Sequence, residues 1–174
     1  MWKLLAKTLI RKPWPVEAPP LEEAQLEALG RRLAATARAR LGRSLSIRAV
    51  DAGSCNGCEL EIHALNNPVY DLERFGLRFV ASPRHADVLL VTGPVTTNMR
   101  EALARTYAAT PDPKWVVAVG DCARDGGLFA GSYAVEGGVG AVVPVDLHIA
   151  GCPPSPLQLL KGLLALIETT ARKG

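Results

Sequence analysis

Four cysteines are the residues of this chain with the most evident capacity for chemistry. Cys55 and Cys58 form a Cys-x-x-Cys pair, and Cys122 and Cys152 stand alone farther along the chain. Glycine or proline lies beside the cysteine pair and beside each single cysteine. These residues favour loops whose backbone comes close to a ligand and donates N–H groups to sulfur. Thiolates bind zinc and iron–sulfur clusters, so the sequence predicts a metal centre or redox chemistry.

The spacing of the cysteines separates the possible uses. Structural zinc sites commonly combine two close pairs of ligands, whereas this chain has one close pair and two distant single cysteines, which favours a larger cluster. A thioredoxin-type disulfide would leave Cys122 and Cys152 without a role. A non-catalytic zinc-binding scaffold remains the alternative to an iron–sulfur protein.

The segments that carry the cysteines follow an α/β pattern, in which short apolar runs alternate with helical stretches. We predict strands at residues 46–50, 77–81, 88–92, 115–120 and 145–150, and helices at about 59–66, 98–110 and 156–171. In the last helix Ser155 and Gln158 have the spacing of a capping box. Its predicted buried stripe consists of Leu159, Leu160, Leu163, Leu164 and Ile167.

Each cysteine group follows a predicted strand. The carboxyl ends of parallel strands share one edge of a sheet, where ligand sites form, so we expect the thiols to converge there. A nucleotide or flavin would be the alternative ligand at that edge. However, no Gly-x-Gly-x-x-Gly segment and no phosphate-binding lysine loop follows a strand.

The first 45 residues differ from the rest of the chain. Residues 1–50 carry ten Lys and Arg against four Glu, whereas residues 51–174 carry ten against thirteen acidic residues. Residues 1–12 combine basic side chains with an apolar face, which suits an anionic membrane surface or a protein partner. Prolines at positions 13, 15, 19 and 20 predict an extended linker, and residues 21–41 predict an amphipathic helix with Leu26, Leu29, Leu33 and Ala37 on one stripe. We divide the chain into an N-terminal extension, residues 1–45, and an α/β domain, residues 46–174.

Composition narrows the class of protein. With 48% hydrophobic and 21% charged residues the chain is expected to fold as a globular domain. It has no apolar run of about 18 residues and no signal-type core, so we expect a cytoplasmic location, where structural disulfides are rare. Its basic residues form no recognition motif for nucleic acid, and we expect no nucleic-acid partner.

The cysteine segments resemble a known family. They read Ser-Cys-Asn-Gly-Cys-Glu-Leu-Glu at 54–61, Gly-Asp-Cys-Ala-Arg-Asp-Gly-Gly at 120–127 and Gly-Cys-Pro-Pro at 151–154, with supporting stretches at 70–76, 82–87 and 144–146. Together they resemble the small-subunit family of nickel–iron hydrogenases and complex I. Within it, the chain is most similar to small subunits of membrane-bound, energy-converting hydrogenases, including the formate hydrogenlyase type. The resemblance spans about residues 46–167.

This resemblance implies a flavodoxin-like, mainly parallel open sheet in which Cys55, Cys58, Cys122 and Cys152 hold one 4Fe-4S cluster. The cluster would be proximal and would exchange electrons with the active site of a large catalytic subunit, so no catalytic residue is expected on this chain. A ferredoxin-like iron–sulfur subunit and membrane-arm subunits are the further partners implied, in a complex on the cytoplasmic side of the membrane. The complex I members of the family usually have two adjacent cysteines where this chain has Cys55-Asn56-Gly57-Cys58, so the hydrogenase-like branch is favoured over a quinone-reducing one.

Charged residues near the predicted ligands allow two further hypotheses. Glu59, Glu61 and His63 follow the first cysteine pair and would couple proton movement to reduction if they faced the large subunit. Acidic residues in a first helical turn also simply stabilise the helix dipole. The pairs Arg84-His85 and Arg124-Asp125 are candidates for the subunit interface, although solvated loop charges are commoner.

Overall fold

A computed structural model of the protein describes residues 23–169. The predicted basic arm and proline linker lie outside these residues. The helices are α1 (Glu23–Leu41), α2 (Gly57–Ala64), α3 (Thr97–Ala109), α4 (Asp121–Asp125) and α5 (Pro156–Thr169). The strands are β1 (Leu45–Asp51), β2 (Leu77–Phe79), β3 (Val88–Thr92), β4 (Val95–Thr96), β5 (Trp115–Val119), β6 (Val135–Gly137) and β7 (Leu147–Ile149).

The main sheet confirms the predicted fold class. Within residues 23–169 it has five strands in the order β2-β1-β3-β5-β7, and every neighbouring pair is parallel. Numbered along the chain without β4 and β6, this order is 2-1-3-4-5, the order of flavodoxin-like folds. The central strand β3 is buried along its whole length, as its sequence Val-Leu-Leu-Val-Thr predicts for a sheet covered on both faces. The protein is therefore an α/β protein with an open, flavodoxin-like sheet.

Helices cover both faces of this sheet. One core joins the sheet to α1, α2 and α5, and the other joins it to α3 and α4. The predicted stripe of α1 is confirmed, because Leu26, Leu33 and Ala37 are buried in the first core with α5. Arg40 of α1 donates hydrogen bonds to the carbonyl oxygens of Ile167 and Glu168 in the last turn of α5. The division at residue 45 stays a prediction.

Helix α5 has the predicted start and the predicted buried face. The backbone N–H of Ser155 donates to Gln158 Oε1 at 2.7 Å, and the N–H of Gln158 donates to Ser155 Oγ at 3.4 Å, which is a capping box. The five residues of the predicted stripe are all buried. Within residues 23–169, no helix has both the length and the apolar character that a bilayer span requires.

Three short elements were not predicted. Strands β4 and β6 pair antiparallel over two and three residues, and α4 is a helix of five residues. Elements this short show neither a helical nor an alternating apolar period, so no local pattern indicates them. Strand β7 is also shorter than predicted. Before it, the Asp146 carboxylate accepts the N–H of Val116 at 2.9 Å in place of a backbone carbonyl.

Candidate metal centre

The loop after β1 holds the first two cysteines. Asp51 Oδ1 accepts the N–H groups of Gly53 at 2.8 Å and of Ser54 at 2.7 Å, which turns the chain sharply at the end of the strand. Asn56 adopts the left-handed conformation, with φ of 69°, immediately before α2 begins. Cys55 is consequently exposed in the loop, whereas Cys58 is half-buried in the first turn of α2.

The loops after β5 and β7 hold Cys122 and Cys152, and they are bonded to each other. The N–H of Gly120 donates to the carbonyl oxygen of Ile149 at 2.8 Å, and the N–H of Asp121 donates to that of Gly151 at 2.9 Å. In return the N–H of Gly151 donates to Asp121 Oδ1 at 3.2 Å. These bonds fix the loop of Cys122 relative to the loop of Cys152.

Two glycines allow the backbone to reach the sulfur atoms. A Cβ atom on Gly120 would lie 2.7 Å from Cys58 Sγ, and one on Gly127 would lie 2.8 Å from Cys122 Sγ. Both glycines have positive φ, at 86° and 52°, which side chains of other residues rarely tolerate. The sulfur of Cys58 is thus enclosed by the loop that carries Cys122, and the two cysteine loops meet.

The pKa shifts of the cysteines also indicate that the four thiols lie close enough to interact. Burial raises the pKa of Cys58 to about 12, with further contributions from Glu59 and from Cys55, Cys122 and Cys152. Burial also raises the pKa of Cys122, although the N–H of Leu128 donates to this thiol and partly opposes the rise. The structure therefore brings the three cysteine loops together at the carboxyl edge of the sheet, and one N–H donor to sulfur is present.

The donor set is one that metals use. Four thiols lie in the loops at this edge, and Cys₄ is the usual ligand set of an iron–sulfur cluster and also a ligand set of structural zinc. In the described part of the chain, no three His, Cys, Asp or Glu side chains are close enough together to hold one metal ion.

Glu59, Glu61 and His63, the residues proposed from the sequence to move protons, lie in α2 after Cys58. Both carboxylate oxygens of Glu59 are buried and have no hydrogen-bond partner within residues 23–169. Glu61 is half-buried and His63 is exposed. The hypothesis that these three residues move protons therefore stays a prediction.

The two charged pairs proposed for an interface are both exposed. Arg124 and Asp125 contact each other, with 2.9 Å between Arg124 Nε and Asp125 Oδ2. Arg84 and His85 lie in the short turn that crosses from β2 to β3. Their role at an interface is also untested.

Sequence reasoning missed four exposed apolar side chains in the segments that follow Cys58 and Cys122. Leu60 is 62% exposed, Leu128 91%, Phe129 44% and Tyr133 fully exposed. Leu60 follows Cys58 by two residues, and the other three lie in the segment after Cys122. We call these four residues the apolar collar. The available signal was the presence of large apolar residues in a glycine-rich stretch without any helical or strand period.

Comparisons with known proteins agree with the sequence resemblance. Residues 55–166 match the family described as NADH ubiquinone oxidoreductase, 20 Kd subunit. Formate hydrogenlyase subunit 7 of Escherichia coli is 48% identical over 132 residues, which are 74% of this chain and 52% of that protein. The chain thus spans about half the length of this relative.

Two further relatives match over most of their length. A probable membrane-bound hydrogenase subunit of Pyrococcus furiosus is 46% identical, over 76% of this chain and 79% of that protein. Among solved structures, a chain of the membrane-bound sulfane sulfur reductase, an archaeal respiratory membrane complex, is 38% identical with a TM-score of 0.65, covering 79% of this chain and 74% of that one. The family match covers all three cysteine loops, and the chain therefore belongs to the family of the 20 Kd subunit of NADH ubiquinone oxidoreductase.

Proposed function

We propose that this protein is the electron-transfer small subunit of a membrane-associated, energy-converting nickel–iron hydrogenase-like complex. In this proposal Cys55, Cys58, Cys122 and Cys152 are the ligands of one 4Fe-4S cluster. The observation that carries the proposal is the meeting of three cysteine loops at one sheet edge, with Gly120 against the Cys58 sulfur. When bound, the cluster supplies a site that gains and loses one electron.

The residues of this chain prepare the site in two ways, and one further feature sets a requirement for metal binding. Backbone hydrogen bonds between the loops of Cys122 and Cys152 hold their sulfurs in place before any metal arrives. The N–H of Leu128 stabilises negative charge on the Cys122 sulfur. Because burial disfavours the thiolate of Cys58, metal binding there requires the release of a proton.

The partner follows from the surface that surrounds the cysteines. Leu128, Phe129 and Tyr133 are exposed apolar residues in the segment after Cys122, and clustered exposed apolar residues mark protein–protein contacts. We assign this collar to a large catalytic subunit, which would lie next to the cluster and exchange electrons with it. A ferredoxin-like iron–sulfur subunit and membrane-arm subunits complete the proposed complex, on the cytoplasmic side of the membrane.

Membership of a complex I-like quinone oxidoreductase is the second candidate function. The description of the matched family favours it, since that description names NADH ubiquinone oxidoreductase. The two relatives at 46% and 48% identity carry hydrogenase or hydrogenlyase names and favour the first candidate. Paired Cys-x-x-Cys motifs in the large subunit of the same complex would support nickel binding and hydrogenase chemistry.

Anaerobic reconstitution of the full chain tests the cluster. We expect four iron and four sulfide per chain, broad visible absorption and a low-temperature EPR signal after reduction. Cys122→Ser and Cys152→Ala should each lose or damage the cluster and stop electron transfer in the assembled complex. Ala108→Ser, a change at an exposed residue of α3 outside the site, serves as the control.

Two results would contradict the proposal. One is retention of all four irons and of activity in Cys122→Ser. The other is binding of zinc by the wild-type chain without visible absorption, which would make the protein a zinc scaffold.

A further inference from the structure

His148 is a half-buried residue that the proposed ligand set does not use. It lies on β7 between Leu147 and Ile149, whose side chains join the core with α1 and α5. Because side chains alternate along a strand, His148 points to the opposite face, towards α4. Its ring Nε2 lies 3.0 Å from the carbonyl oxygen of Gly120. A carbonyl oxygen only accepts hydrogen bonds, so Nε2 carries the proton and donates it.

The peptide group between Gly120 and Asp121, which accepts this hydrogen bond through its carbonyl oxygen, is also hydrogen-bonded through its N–H. The Gly120–Asp121 peptide presents the carbonyl oxygen of Gly120 to His148, and its N–H, that of Asp121, donates to the carbonyl oxygen of Gly151 at 2.9 Å. Both polar groups of one peptide are thus bonded to β7 or to the loop that follows it. Such a peptide cannot rotate without breaking two hydrogen bonds.

The orientation of this peptide is important because the peptide lies close to the proposed ligand sulfurs. Gly120 lacks a side chain and has a positive φ, so its own conformational preferences restrain the peptide weakly. The same glycine lies against the Cys58 sulfur, and Cys122 follows it two residues later. The dipole of this peptide therefore lies next to the Cys58 sulfur and within two residues of Cys122 along the chain.

We propose that His148 is a positioning residue that locks the Gly120–Asp121 peptide and thereby sets the reduction potential of the cluster. The proposal deepens the proposed function and rests on it, since it requires the cluster. The physical basis is that hydrogen bonds and dipoles around the ligand sulfurs tune the potential of an iron–sulfur cluster.

The hydrogen bond from His148 to the Gly120 carbonyl, which we call the lock, does not depend on ionisation of the histidine. Neutral imidazole with its proton on Nε2 and the imidazolium form both donate from Nε2. The charged groups of α4, the helix that His148 faces, are Asp121, Arg124 and Asp125. The pKa of Asp125 is lowered chiefly by the N–H of Gly127 and by Arg124, with a smaller contribution from His148. We therefore assign the role of His148 to its hydrogen bond.

A matched pair of variants separates the hydrogen bond from the bulk of the side chain. In His148→Gln the side-chain amide nitrogen reaches the position of Nε2 and still donates, whereas His148→Leu fills space without a donor. Both are compared with wild type as full chains reconstituted with iron and sulfide. The readouts are iron content, the EPR spectrum of the reduced protein and the midpoint potential from a redox titration.

We expect His148→Leu to keep its iron while its midpoint potential shifts and its EPR signal broadens or splits. His148→Gln should return both readouts to wild-type values. A His148→Leu protein with wild-type potential and spectrum would overturn the proposal, and so would equal shifts in both variants. If wild type takes up no 4Fe-4S cluster, the proposed function itself fails, which is a different outcome from the failure of the lock.

A measurement on the wild-type chain covers the case in which His148→Leu does not fold. Nitrogen-15 NMR of the oxidised protein reports which ring nitrogen of His148 carries the proton. A proton on Nε2 with slow exchange supports the lock. A neutral ring protonated only on Nδ1 overturns it, because Nε2 would then have nothing to donate.

Discussion

At the scale of single residues, Gly120 shows how a missing side chain shapes the candidate metal centre. Its position between Cys58 and the Cys152 loop leaves no room for a Cβ, and its backbone lies in the left-handed half of conformational space. We predict that Gly120→Ala lowers the free energy of unfolding of the cluster-free protein by about 1–3 kcal/mol, because φ of 86° with ψ of 163° is a conformation that essentially only glycine adopts. Iron uptake should fall as well, because the new methyl group displaces the Cys58 sulfur.

Gly140→Ala is the matched control for this change. Gly140 has no atom of another residue within 4 Å of the place a methyl group would take and no positive φ, so alanine there should leave both quantities near wild type. Urea unfolding and iron counting measure the two effects. Equal behaviour of the two variants would show that Gly120 is not needed for close approach.

Cys58 gives a prediction about pH. Its raised pKa means that the folded, cluster-free protein keeps the Cys58 proton at pH values where the unfolded chain releases it. Alkylation of Cys58, which requires the thiolate, should therefore be at least about tenfold slower at pH 8 in the folded chain than in urea. By the same linkage, the free energy of unfolding should decrease as pH rises from 9.0, the ordinary value, towards about 12.

Mass spectrometry after timed alkylation measures the rate at Cys58 separately from the other cysteines. The decrease in stability at alkaline pH should be smaller in Cys58→Ser, which has no thiol to titrate. Equal alkylation rates in the folded and unfolded chains would contradict the burial of this sulfur.

At the scale of elements, helix α5 is the part of the fold that the sequence describes best. Ser155 and Gln158 predicted its start, and a leucine stripe predicted its buried face, because both signals lie within a few residues of each other. We predict that Ser155→Ala lowers the free energy of unfolding by about 1 kcal/mol through loss of the cap. Ser155→Thr keeps the hydroxyl and should lose less. Urea titration of both variants measures the difference, and equal losses would mean that the cap contributes nothing.

Other elements depend on contacts that are distant in sequence. The pair β4 and β6 forms only because the segment after Cys122 returns to residues 95–96, a contact without any local pattern. The last strand was predicted to begin at residue 145 but begins at Leu147. Before it, the N–H of Val116 donates to the side chain of Asp146 and not to a backbone carbonyl. Convergence of the cysteine loops was predictable from parallel topology. The bonds between Gly120, Asp121 and Gly151 were not, since they depend on loop geometry.

At the scale of the whole molecule, the apolar collar belongs to the segments that follow Cys58 and Cys122, and the N–H of Leu128 donates to Cys122. We predict that Leu128→Ser combined with Tyr133→Ser weakens binding to the proposed large subunit, because both side chains are almost fully exposed in this chain alone and would be buried by a partner. The same exposure means that the free energy of unfolding of the isolated protein should change little.

Co-expression with the large subunit and size-exclusion chromatography of the complex measure this effect. Val69→Ser, at a 42% exposed apolar residue outside the collar, is the control and should leave the complex intact. A double variant that still co-elutes fully with the large subunit would remove the collar from the interface.

The exposure of Cys55 and Cys152 has a consequence if these residues are cluster ligands, as proposed. Thiols that face solvent are open to oxidants, and their oxidation to sulfinic or sulfonic acid cannot be reversed by ordinary thiol reductants. In the proposed complex, iron loading and burial by the large subunit would close both positions. A chain kept in the cluster-free form under oxidising conditions should therefore take up less iron the longer it is exposed.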